Sequence, residues 1–483
     1  MVMMVRLLAV PFVFALAFAA TSSPANADAD AAPAEITPAL AQRIDAAVRA
    51  TTGSTKGLAP GVSVAIVENG KLVYARAFGV ADIATKTPAT PQTRFRIASV
   101  TKMFTAVAVM QQVEKGTVRL DEPLATYLPD APHAKEVTIR QLLMHTSGIW
   151  NYGDESFSSG RVVMPTTPQA IVASVGSRPL EAPPGSKFVY SNTGYVLLGL
   201  VVEAVTHQPL ARYLQTNVLV PAGMTETTFG ELPAGVPVAV GYMDAGGAPA
   251  LPYSPSWFYA DGDMVSTASD VARFDAALMD GRLVKPETFA SMQSSSILAP
   301  LLGATVRYGL GLMLSPNRDV MLVGHHGGIP GYVAEVQMLP AQRFAVVVLA
   351  DASEFPTSTV KGAVLQLVVP ALFAGPSGPA AAGEDLAVTA KLWTLVEGIQ
   401  RGTVDRATLT DRMSAALTPE SLSGAATQFA SLGALQTLTY RGKETANGFD
   451  VYHYTAAFAA GQSLPVTFSV EPKTGKIGGL FFA

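Results

Sequence analysis

The strand signals of this chain are split between two distant places, and that limits what it can fold into. Val62, Val64 and Ile66 alternate with small or polar residues, Asn69-Gly70 follows, and Leu72, Val73 and Tyr74 resume the apolar pattern. An Asn-Gly pair between two such runs marks a hairpin, because both residues tolerate positive φ. The next comparable pair comes only at Tyr332 to Leu339 and Phe344 to Ala350, around Pro340-Ala341-Gln342. Between them, from Ser99 to about Gly230, the apolar periodicity is mostly helical. Pro38 to Ala50 and Pro356 to Phe373 also read as helices. Strands far apart in sequence can share one antiparallel sheet, with the helical block inserted as a second lobe. The expectation is an α+β fold with a cleft between sheet and helices.

At 483 residues the chain exceeds a single compact core. Ala374 to Gly383 is a small-residue, Pro/Gly-rich linker, followed by helical patterns at Leu386 to Ile399 and Pro419 to Phe429. Four strand candidates then follow, at Thr437 to Tyr440, Phe449 to Ala456, Leu464 to Val470 and Lys476 to Phe482. The N-terminus has the form of a secretory leader: Arg6, an apolar run from Leu7 to Ala20, and Ala25-Asn26-Ala27 at the cleavage position. The expected division is a leader at 1–27, a main domain at 28–373, a linker at 374–384 and an accessory α+β domain at 385–483. The mature protein is then periplasmic or secreted, with no stable membrane span.

Composition removes several functions. Only 14% of residues are charged and the net charge is -4, with no basic run to hold nucleic acid. There is no cysteine, which excludes disulfide scaffolds, thiol catalysis and Cys-based metal sites. The pair His325-His326 invites a metal reading, but no carboxylate or third histidine stands at ligand spacing.

Three short motifs carry possible chemistry. Ser99-Val100-Thr101-Lys102 opens a helix-compatible stretch, so Lys102 lies about one turn beyond Ser99 on the same face and can reach its hydroxyl. Tyr190-Ser191-Asn192 brings a phenol able to shuttle a proton and an amide able to bind a carbonyl. Gly324-His325-His326-Gly327-Gly328 brings glycines that let a backbone approach a ligand, with N–H groups suited to an oxyanion. Each has a structural reading too: a serine cap above a solvated lysine, a loop tyrosine with Asn192 as a helix cap, and a tight turn with surface histidines.

In order and spacing the three motifs resemble the serine β-lactamase-like family of class C β-lactamases, D-alanyl-D-alanine carboxypeptidases and class VIII esterases. FRIASVTKMFTAVAVMQ, VTIRQLLMHTSGI, APPGSKFVYSNTGYVLLG, DGDMVSTASDVARF and GHHGGIPGY are similar to segments of its members, from about Ala41 to Phe373. The resemblance implies the β-lactamase/transpeptidase-like fold and an acyl-enzyme mechanism needing no cofactor. Ser99 is then the nucleophile, and Lys102 and Tyr190 share its proton relay. Asn192 orients the substrate or supports Lys102. The N–H groups of Ser99 and Gly328 form the oxyanion hole, and His325-x-Gly327 is the third motif. His325 stands where many relatives carry lysine, a permanent cation able to hold a substrate carboxylate. That departure favours an ester, an amide or a small D-amino-acid peptide as the small-molecule partner over a β-lactam. A true β-lactamase or D,D-carboxypeptidase, and an inactive binding protein, are the alternatives.

Other residues are read as structural. Ser358-x-x-Lys361 is a cap with a solvated lysine, and Lys473-Thr474-Gly475 is a turn that matches the third motif by coincidence. His145 is a structural hydrogen-bonder, and Ser266, Thr267 and Asp270 begin a helix. Trp150, Tyr152 and Trp257 to Tyr259 either wall a cleft or fill the core. No Gly-x-Ser-x-Gly elbow exists to support an α/β-hydrolase.

Overall fold

Asn69 and Gly70 take φ of +50° and +77°, and across them Val62–Glu68 (β1) pairs antiparallel with Lys71–Phe78 (β2). The computed structural model describes residues 32–52 and 60–482, apart from 231, 233–234, 245, 300, 303–305, 318–319, 373–380, 431, 447 and 460–462. The proposed leader and most of the linker lie outside the described residues. The remaining strands are Ile297–Leu298 (β3), Arg307–Tyr308 (β4), Met313–Asn317 (β5), Val320–Ile329 (β6), Tyr332–Leu339 (β7) and Phe344–Ala350 (β8). They complete an eight-stranded antiparallel sheet in the order β2-β1-β8-β7-β6-β5-β4-β3. The two hairpins are thus one sheet, joined where Val64 lies opposite Val348. Two minor sheets, of two and three strands, stand apart from it.

Helices Pro38–Thr52 (α1), Thr101–Glu114 (α2), Tyr152–Ser158 (α3), Asn192–Thr206 (α4), Ala268–Met279 (α5) and Thr357–Val368 (α6) belong to the same part of the chain. Strands β1 and β8 are buried almost end to end, so both sheet faces are covered. On one face Ala65, Val67, Val347 and Leu349 share a core with Met103, Phe104 and Val107 of α2 and with Phe274 of α5. The intervening residues point the other way, toward α1 and α6, which pack on each other; α6 also packs on β7 and β8. Every residue of α2 from Thr101 to Met110 is buried, so this helix is fixed on all sides. Burying Met103, Phe104 and Val107 contributes roughly 1.5–3 kcal/mol each.

Residues 31–298 and 307–369 make one compact unit; a second contains residues 370–483 together with 299–306. In the second, helices Leu386–Gln400 (α7) and Pro419–Ala430 (α8) precede a meander of Leu435–Ala446 (β9), Phe449–Phe458 (β10), Ser463–Val470 (β11) and Ile477–Phe482 (β12). Its core includes Leu392, Val396, Tyr454, Phe458 and Phe468. The first strand runs much longer than the Thr437 to Tyr440 expected, because pairing with β10 carries the polar stretch through Lys443 and Glu444 despite its weak propensity. Lys473-Thr474-Gly475 is the turn between β11 and β12, with Gly475 at φ +67°. No helix among the described residues is long and apolar enough to cross a membrane.

Candidate active site

Ser99 lies in a single 3-10 turn, Ala98–Val100, immediately before α2. No side chain caps this turn, so Ser99 is not the capping serine its position suggests. The turn is held at both ends: Ile97 N–H donates to the Met264 carbonyl at 3.0 Å, and Met264 N–H donates to Thr101 Oγ1 at 3.2 Å. Ala98 is forced to φ +48°, a left-handed conformation that a residue with a Cβ seldom adopts.

Lys102 is 0% exposed, which removes the reading of a solvated lysine. Its Nζ donates to Ser99 Oγ at 3.0 Å and to the Asp261 carbonyl at 2.9 Å. Asp261 Oδ2 stands 3.9 Å from it, and the Tyr190 and Tyr195 rings lie 5.1 and 5.5 Å away. The Tyr190 hydroxyl donates to the same Ser99 Oγ at 3.1 Å. Both polar groups therefore converge on one serine oxygen.

Tyr190 is set by the ring beneath it. His145 stacks against it with centroids 4.2 Å apart, and His145 Nδ1 accepts the Ser191 N–H at 3.1 Å. The ring proton is then on Nε2, which is buried without a partner. Burial, and after it the charge of Lys102, hold His145 well below the usual histidine range, so it is neutral. Ser191, not Asn192, caps α4, accepting from Gly194 N–H at 3.2 Å. Asn192 N–H donates to Asn151 Oδ1 at 3.0 Å, while its own Oδ1 is buried and unpaired.

The glycine-rich motif is not a tight turn. It occupies strand β6, where His325 faces Val336 across the sheet and His326 faces Glu335. Alternation puts His325 and Gly327 on the Ser99 side and His326 on the other. His325 is 2% exposed. Its Nδ1 lies 2.6 Å from the His326 carbonyl, which can only accept, so that nitrogen carries the proton; Nε2, 2.9 Å away, accepts from the Tyr308 hydroxyl. Burial pushes His325 well below its usual range. It is a neutral ring with both nitrogens engaged inside the protein.

Asp261 and Tyr152 were not legible from the motifs. Asp261 is 3% exposed, and the Tyr152 hydroxyl reaches its two carboxyl oxygens at 3.3 and 3.2 Å. Burial pushes its carboxyl up to about 7, against the pull of Lys102. Asp263 is likewise pushed up to about 7 by burial, with Arg96 3.5 Å away opposing. The available signal was two acids inside the otherwise apolar FYADGDMV. Tyr152, Trp257 and Phe258 are all buried, so they fill the core.

The second Ser-x-x-Lys is neither a cap nor a solvated pair. Lys361 is paired with Glu335 at 2.6 Å, and Ser358 donates to the other oxygen of that carboxylate at 3.1 Å. Pro356 stands at the N-cap, so Ser358 is neither a cap nor next to a solvated lysine; the three side chains tie α6 to β7. Thr267 accepts from Asp270 N–H at the start of α5, as expected of a cap. No group of three acids or histidines that could hold a metal ion occurs among the described residues.

An antiparallel sheet with a helical lobe, and a buried lysine and a tyrosine meeting on a serine hydroxyl, define the serine β-lactamase-like class of hydrolases. The chain belongs to the Beta-lactamase family, whose model matches residues 40–369. It is 31% identical over 270 residues to the putative penicillin-binding protein PbpX of Bacillus subtilis, covering 55% of this chain and 64% of that protein. Protein flp of Staphylococcus aureus is 29% identical over 65% of this chain and 64% of its own. The chain thus spans just under two thirds of the length of these curated relatives. Among solved structures, D-amino acid amidase from Ochrobactrum anthropi SV3, complexed with L-phenylalanine amide, aligns at TM-score 0.61 and 30% identity over 69% of this chain and 98% of its own. The octameric penicillin-binding protein homologue from Pyrococcus abyssi has the same fold at TM-score 0.61 and 24% identity, covering 92% of this chain and 98% of its own.

Proposed function

We propose that the protein is a serine hydrolase that forms an acyl-enzyme on Ser99 and hydrolyses an uncharged ester, an amide or a small D-amino-acid peptide. One observation carries this reading: Lys102 Nζ and the Tyr190 hydroxyl both reach Ser99 Oγ, at 3.0 and 3.1 Å, from a lysine with no exposed surface. Ser99 Oγ attacks the substrate carbonyl while its proton passes to Lys102. Tyr190 delivers a proton to the leaving group as the bond to it breaks and regains one from Lys102, which returns to the free amine. Water then enters by the reverse route and frees the serine. The N–H groups of Ser99 and Gly328 receive the negative oxygen. Asn192 Oδ1, an acceptor left without a donor, suits a substrate N–H.

His325 bears on the substrate. A neutral ring bound on both nitrogens offers no cation to a substrate carboxylate, which disfavours D,D-carboxypeptidase and β-lactamase activity. The likeness to D-amino acid amidase supports an amide or D-amino-acid substrate. The leader-like N-terminus supports a periplasmic or secreted protein, checked by N-terminal sequencing of exported material for cleavage after Ala27.

The direct test is hydrolysis of p-nitrophenyl butyrate and D-phenylalanine amide by wild type and Ser99→Ala. Turnover that disappears in the variant is expected. Turnover that survives it would remove Ser99 from the mechanism.

A further inference from the structure

Lys102 is held from two directions by a single residue. The Asp261 main-chain carbonyl accepts from Nζ, and the Asp261 carboxyl stands 3.9 Å from the same nitrogen, with the two side chains 0% and 4% exposed. Around that carboxyl stand Lys102 from α2, Tyr152 from α3 and Asp263, which is itself paired with Arg96. The Tyr152 hydroxyl also donates to the Trp257 carbonyl, so its one proton is contested by two acceptors. A dry amine and a dry carboxyl at this range share one site, so a proton held by one bears on the other. With one proton between them they are either ammonium and carboxylate or amine and carboxylic acid.

We propose that Asp261 is a positioning residue for Lys102: its carbonyl aims the amine at Ser99 Oγ, and its carboxyl decides whether that amine is free to take the serine proton. This deepens the proposed function and rests on Ser99 being the nucleophile. When Asp261 holds the shared proton, Nζ presents a lone pair to Ser99. When the carboxylate is bare, Nζ is an ammonium and can accept nothing. During acylation the serine proton moves to Nζ as the Oγ–carbon bond forms, and a proton leaves with the departing group as its bond to the carbonyl breaks. Tyr190 supplies the proton that leaves with the departing group and regains one from Nζ, so Lys102 ends as the amine, Asp261 keeps its own proton throughout, and charge balances. Below the ionisation of this carboxyl, which burial raises to about 7, the pair carries a second proton and no lone pair faces Ser99. As that proton leaves with rising pH the acid–amine form becomes available, and the Tyr152 hydroxyl lowers that pH while the Asp263 charge raises it.

The test is the rate at which a fluorophosphonate probe labels the full-length protein as a function of pH, which needs no natural substrate. Wild type is expected to show an inflection near neutral pH, with labelling about tenfold slower one pH unit below it. Asp261→Asn should move that inflection by about one unit or more. Tyr152→Phe, which removes the carboxylate's donor, should move it upward, and Asp263→Asn should move it downward. If Asp261→Asn folds poorly, these two opposite displacements decide, because a purely structural role slows labelling without displacing the inflection. An inflection that stays in place in all three overturns the proposal and leaves Ser99 standing. Labelling that persists in Ser99→Ala, or is missing from wild type, overturns the nucleophile reading and this proposal with it.

Discussion

A Cβ placed on Gly327 would lie 2.8 Å from the Ser99 main-chain nitrogen and 2.5 Å from the Ile97 carbonyl oxygen. Strand β6 therefore runs directly against the turn that holds the proposed nucleophile, and any side chain at position 327 would push the two apart. Both neighbours are backbone atoms, so no rotamer change relieves the contact. Gly327→Ala is expected to lower turnover on the order of 100-fold by displacing Ser99 and stability by about 1–3 kcal/mol. Kinetics with p-nitrophenyl butyrate and thermal melts check both; wild-type turnover would show that the turn yields without consequence.

The two groups on Ser99 Oγ should be separable. Lys102→Met is expected to reduce acylation by about 10³-fold or more, and Tyr190→Phe by about 10²–10³-fold, the range of a positioned acid or base. Stopped-flow burst kinetics distinguish slow acylation from slow release. Equal, small losses in both variants would argue against a shared relay.

His325→Lys restores the side chain common among relatives, yet it places an ammonium where burial and the Lys102 charge already oppose a cation. We expect a lower melting temperature and no gain in kcat/KM for peptides ending in a free carboxylate. A gain would mean that the ring's hydrogen bonds to Tyr308 and the His326 carbonyl are dispensable and that the site accepts an anion.

Asp351 gives a pH signature unrelated to the site. It is 0% exposed, no side chain pairs with its carboxyl, and burial pushes that carboxyl up to about 8 from an ordinary 3.8, against the opposing main-chain N–H groups of Gly61 and Asp351. The folded state keeps a proton that the unfolded chain sheds. The stability it contributes is complete below pH 3.8 and declines as pH rises to about 8, by about 1.4 kcal/mol per unit. Asp351→Asn should remove that slope and melt higher than wild type at pH 8. Parallel melting curves of the two proteins against pH would contradict this.

The second unit has a core of its own around Leu392, Tyr454 and Phe468. Residues 381–483 expressed alone are expected to melt cooperatively in circular dichroism. A broad, non-cooperative transition would show that this core depends on the rest of the chain.

Local rules explain why part of the site could be read directly. Asn69-Gly70 marks a hairpin because few other residues tolerate its φ values, and the alternation of Ala334, Val336 and Met338 with Glu335 and Gln337 inside an apolar run points to a half-buried or buried strand. The glycine-rich run at 324–328 resisted the same treatment: nothing local distinguishes a turn from a strand whose glycines are demanded by a neighbouring backbone.

The sequence by itself determined the split sheet, the inserted helical block, the separate C-terminal α+β segment and the three motifs in their order. These follow from periodicity, turn chemistry and composition, which act over a few residues. Only the tertiary structure decided that Lys102 is dry, that Asp261 stands beside it with Tyr152 on its carboxyl, and that Ser191 rather than Asn192 caps α4. It also decided that Lys361 belongs to Glu335 and that His325 faces inward while His326 faces the other side of the sheet. Asp261 lies 159 positions from Lys102 in the chain. Burial and charge pairing depend on which distant segments pack together, and no short-range pattern encodes that distance.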